Sequence, residues 1–135
     1  MRTVFELMQK VAIHLAGKPV KLRFQHNKGA YGVCRADETG LTTIDIEPEI
    51  QFFEERKFLS VFLHEIAHAK NDYYIPMKLE LSDIKPASNS NNYKRKESRA
   101  DIQAEKWLSY AEKNRKEEFS YFEGCLWTLL EKEEV

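Results

Sequence analysis

The stretch SVFLHEIAHAKNDYY, residues 60–74, decides how the rest of the chain is read. With Phe58 and Leu59 before it, its apolar residues Phe62, Leu63, Ile66 and Ala67 recur at helical spacing. They cover so much of the circumference that a helix here must be central to the fold. The spacing predicts a helix from about Phe52 to Asp72. His64 and His68 fall on its remaining side, four apart, with Glu65 directly after the first.

Working outward from that helix, the upstream sequence changes period twice. Val4, Leu7, Met8, Val11, Leu15 and Ala16 repeat as in an amphipathic helix. Thr3 and Glu6 match a capping box, while Gly17 and Pro19 supply a stop. VKLRFQH (20–26) then alternates apolar and polar residues, as a half-buried strand does. YGVCRA (31–36) and LTTIDI (41–46) read as second and third strands, with turns NKGA and DETG between. Short turns between alternating segments predict a three-stranded antiparallel sheet. Downstream, residues 73–93 form a long connection with two prolines and a Ser/Asn cluster, either a flap or a linker. Two helices follow, one over about Tyr93 to Lys113 and one over about Glu117 to Lys132. The expected class is therefore α+β, as a single domain over residues 1–135.

Composition narrows the function classes. The net charge of −1 provides no basic footprint for phosphate contacts, so nucleic acid is not an expected partner. The run Lys94, Arg95, Lys96 is followed at once by Glu97 and reads as a solvated helix entry. Cys34 and Cys125 are too few and too far apart for a zinc ribbon. Glu6, Gln9 and Lys10 interrupt the N-terminal apolar residues, so neither a signal peptide nor a membrane span is expected. The resulting expectation is a soluble, cytoplasmic protein.

The histidine pair has a definite chemical capacity. Residues four apart on a helix lie one above the other, so two imidazoles reach one metal ion. A glutamate one position on points about 100° around the helix and can touch a metal-bound water without being a ligand. A zinc ion so held acidifies water, the glutamate takes the proton, and a carbonyl is attacked. The bland alternative is a pair of ordinary, partly exposed histidines.

A catalytic zinc wants three protein ligands and an open position. His14 and His26 read as a helix-surface and a strand-end residue. ESRADIQAEKW (97–107) fits the demand better, because Glu97 and Asp101 share a helical face with Ala104 and Leu108. Alanines at 100 and 104 allow close approach to the histidine helix. Two carboxylates on a packed face are costly unless something positive faces them. Their alternative role is to favour a helix N-terminus through its dipole.

On these residues, HEIAH followed by Glu97-x-x-Ala100-Asp101-x-x-Ala104, the chain resembles the gluzincin side of the zincin metallopeptidases, specifically small bacterial and phage proteins of the ImmA/IrrE type. The resemblance spans about Leu41 to Leu108. It implies a minimal zincin-like fold, a Zn2+ cofactor held by His64, His68 and Glu97, and Glu65 as general base and proton shuttle. Asp101 would orient a ligand histidine through its other ring nitrogen. Tyr93, one helical turn before Glu97, is a candidate donor to the developing oxyanion, as are Tyr73 and Tyr74, with simple packing as the alternative role of each. The third strand would be the edge that pairs with an extended peptide.

The activity so implied is zinc-dependent hydrolysis of a peptide bond in a specific cytoplasmic protein, a repressor or other regulatory protein being the natural substrate class, in a phage or mobile-element setting. A zincin-fold module that grips a regulatory partner without cutting it is the alternative. An α+β interaction protein without metal is a third.

Overall fold

The computed structural model describes residues 2–26, 30–36, 39, 41–71 and 91–132, with the side chains of 2, 3 and 91–94 left out. Helix α1 spans Arg2–Ala16. Gly17 ends it in the left-handed region at φ 70°, where its N–H donates to the Ile13 carbonyl at 2.9 Å. A glycine there avoids the Cβ penalty of that conformation. The helix begins before Thr3, and the expected capping box falls on a side chain outside those described.

Three strands follow, β1 (Val20–Phe24), β2 (Gly32–Ala36) and β3 (Thr42–Ile46). They are not an antiparallel meander. The order is β1-β3-β2, with β1 parallel to β3 and β2 antiparallel to it. The physical reason lies in β3. Thr42, Ile44, Asp45 and Ile46 are all buried, so both faces of this strand need cover, which the middle of a sheet provides. Asp45 adds a specific demand. Its carboxylate accepts from Arg23 Nε at 2.7 Å and Nη2 at 3.0 Å, and lies 3.4 Å from Arg35 Nη2. Those arginines come from β1 and β2, so only a strand between the two can use both.

A short 3-10 helix, Pro48–Phe52, leads into α2 (Glu55–Asn71). Leu59, Phe62, Leu63, Ile66 and Ala67 are fully buried, as a central helix requires. Helix α3 (Asn91–Lys113) packs along α2 through Ala100, Ala104, Trp107, Leu108 and Ala111. Helix α4 (Tyr121–Leu130) starts four residues later than the apolar pattern predicts, because Ser120 caps it by accepting from the Glu123 N–H at 3.3 Å. The architecture is thus α+β, with four helices and a three-stranded mixed sheet among the described residues.

The sheet's edges are finished differently. On β1, the Gln9 side chain of α1 accepts from the Leu22 N–H at 2.9 Å and donates to the Val20 carbonyl. On the other side, β2 runs beside α2. No helix among the described residues is long and apolar enough to cross a membrane.

Candidate metal centre

The close packing of α2 on α3 brings the two halves of the sequence motif together. His68 Nε2 lies 2.6 Å from one oxygen of Glu97, and His64 Nε2 lies 3.2 Å from the other. The imidazole rings are 4.8 Å apart, nearly perpendicular to each other. One nitrogen from each histidine and one oxygen from Glu97 all fall within 4.8 Å of one another. Zinc–ligand bonds of about 2.0–2.2 Å place neighbouring tetrahedral donors roughly 3.4 Å apart, the scale of this cluster.

The donor chemistry suits a borderline-soft divalent cation. His64 Nδ1 is 2.8 Å from Asp101 Oδ1, a contact that favours the tautomer with its proton on Nδ1 and the lone pair on Nε2. In that tautomer His64 Nε2 and the Glu97 carboxylate face each other as acceptors, a contact that a cation or a proton between them would satisfy. The three residues are graded in exposure. The His68 side chain is 6% exposed, His64 18% and Glu97 36%, which leaves the cluster open on the side of α3.

Glu65 sits beside the cluster and is itself buried, at 7% exposure. That burial pushes its carboxyl up to about 7, with Glu97 adding to the rise and His64 opposing it. The pocket that holds it is made by Gly32 at the start of β2. A Cβ at position 32 would stand 2.8 Å from Glu65 Cγ and 3.1 Å from Oε2. Gly32 was not among the expected site residues. Its signal was a glycine inside an otherwise alternating strand, which marks a close approach by another group.

The fold thus brings together His64, His68, Glu97, Asp101 and Glu65. The expected oxyanion donor Tyr93 belongs to α3, but its side chain lies outside the described residues, as do Tyr73 and Tyr74. The other histidines are elsewhere. His14 contacts the Lys132 carbonyl, and His26 Nδ1 pairs with Glu47 at 2.9 Å. Cys34 and Cys125 are both buried and form no disulfide. The third strand is the middle strand, with both edges already paired, so it cannot add a peptide strand; β2, whose Gly32 lies against Glu65, is an edge strand.

Compared with protein families, curated proteins and solved structures, the chain matches none.

Proposed function

We propose that the chain is a zinc-dependent peptidase with a minimal zincin-like arrangement. The observation that carries this reading is the convergence of His64, His68 and Glu97 from two helices, with the buried carboxyl of Glu65 beside them. Zinc bound by those three residues would supply an acidified water and a polarised carbonyl. His64 and His68 would hold it through Nε2, with Asp101 favouring the His64 proton on Nδ1. Glu65 takes the proton of the attacking water and returns it to the leaving amine. A carboxyl held near neutrality by burial is suited to both halves of that transfer.

The substrate in this reading is an extended segment of a regulatory protein of the cytoplasm, a repressor in a phage or mobile-element setting being the class the sequence resemblance suggests. It would add to the outer edge of β2, with main-chain hydrogen bonds setting its register. The packing of Gly32 of β2 against Glu65 supports this choice of strand.

The test is zinc content per chain, by elemental mass spectrometry, on protein purified without added metal or affinity tag. About one zinc per chain, dropping sharply in Glu97→Ala, is the expected result. A chain that carries no zinc, and takes up none on titration, overturns the proposal. Cleavage of a candidate repressor by the wild type, with intact co-elution but no product for Glu65→Gln, separates a peptidase from a module that only grips its partner.

A further inference from the structure

A second feature lies at the opposite end of α2. Phe58 and His68 are roughly 15 Å apart along the helix axis, at 1.5 Å per residue. Around Phe58 the rings of four phenylalanines run in sequence. Phe5 and Phe24 have centroids 5.9 Å apart, Phe24 and Phe58 6.3 Å, and Phe58 and Phe122 4.7 Å in a stacked pair. With Phe53 and Met8 they line a cleft of about 240 Å³ where α1, the 3-10 helix, α2 and α4 meet. That is smaller than the roughly 300–1,000 Å³ of small-molecule pockets and suits one or two side chains.

The rim is charged, and with one sign. Glu55 and Glu123 border the cleft, each in the first turn of its helix. Neither is in an ion pair among the described residues. The neighbouring cations are engaged elsewhere: Arg56 with Glu105 and Glu112, Lys57 over the Tyr31 ring, Lys116 with Glu131. Beside the cleft, Phe52 is 88% exposed. Helix dipoles account for a glutamate at each N-terminus. They do not account for an aromatic hollow left open between the two.

We propose that this cleft is a docking site for a protein segment that presents an aromatic or aliphatic anchor next to lysine or arginine. The anchor fills the hollow against the phenylalanine rings, and its basic neighbours pair with Glu55 and Glu123. Charge decides against a second copy of this chain, which would bring Glu55 and Glu123 against their own counterparts around a shared apolar contact. The inference is independent of the metal.

The experiment uses the full chain and a fluorescein-labelled helical peptide with one face of leucine and phenylalanine and the other of lysine, followed by anisotropy. The control peptide has glutamate for every lysine. Expected are saturable binding of the lysine peptide that weakens with salt, a shift of the Met8 methyl resonance on binding, and about tenfold or greater loss in the Glu55→Lys/Glu123→Lys variant with an unchanged circular dichroism spectrum. Equal binding of the glutamate peptide, retention of binding in the charge-reversed variant, or no binding of either peptide overturns the proposal. So does a dimer in sedimentation that Phe52→Ala dissolves, since the cleft would then be a self-association surface.

Discussion

Two carboxylates are buried among the described residues, and they are treated in opposite ways. Asp45, on the outer face of the sheet, is fully buried and held by guanidinium groups from both neighbouring strands. Glu65, on the face of α2 that meets β2, is almost as buried, and burial dominates its environment, raising its carboxyl to about 7. A charge whose task is structural is neutralised where it stands. A carboxyl whose proposed task is to carry a proton has no ion-pair partner of this kind among the described residues, and the fold bears the cost of burying it.

The strongest way to break the contrast is at Glu65. Replacement by glutamine keeps shape and hydrogen-bonding capacity but removes the proton carrier. Hydrolysis of a cleaved substrate should fall by about 10²–10⁴-fold, with zinc content unchanged. A variant that cuts normally while binding zinc would sink the assigned base. The opposite carboxylate should behave differently. Asp45→Ala leaves Arg23 and Arg35 facing each other across a void and should cost about 2–3 kcal/mol of stability by urea denaturation, a value reduced by the partial exposure of both arginines.

A pH series sharpens the comparison further. Glu65 has a native pKa of about 7 against an ordinary value of 4.5, so between those values the native state holds the proton more tightly than the unfolded chain. The stability this contributes is fully present below pH 4.5 and is lost as pH rises through 7. In metal-stripped protein, Glu65→Gln should therefore be more stable than the wild type at pH 8 by about 3 kcal/mol, with the difference vanishing near pH 4. Equal urea midpoints at pH 8 would show that the carboxyl finds a cationic partner after all. The smallest effect is expected at Asp101, whose side chain is 73% exposed. Asp101→Ala should weaken zinc about tenfold in a competition titration with a chelator, while leaving the fold intact.

The helices were largely legible from residue order. The apolar spacing of 58–67 identified α2 as central, and Ala100, Ala104, Trp107, Leu108 and Ala111 marked the buried side of α3. Helical periodicity is local, so it survives without knowledge of neighbours. The late start of α4 was also readable, because Ser120 and Glu123 have capping-box spacing that the apolar run of the helix obscured. The strand order was not legible from the short turns, which are compatible with a meander; the buried character of TTIDI points the other way. Four of its five residues are buried, Asp45 among them, as a central strand requires.

By itself, the sequence determined that His64 and His68 share one helical face with Glu65 beside them, since that follows from 3.6 residues per turn and needs no partner. It also determined that Glu97 and Asp101 share a face of another helix. Only the tertiary structure decided that those faces meet, that Asp101 reaches His64 rather than His68, and that Gly32 of β2 closes on Glu65. Strand order and helix contact depend on which buried groups can satisfy one another at a distance along the chain, and no local spacing carries that information.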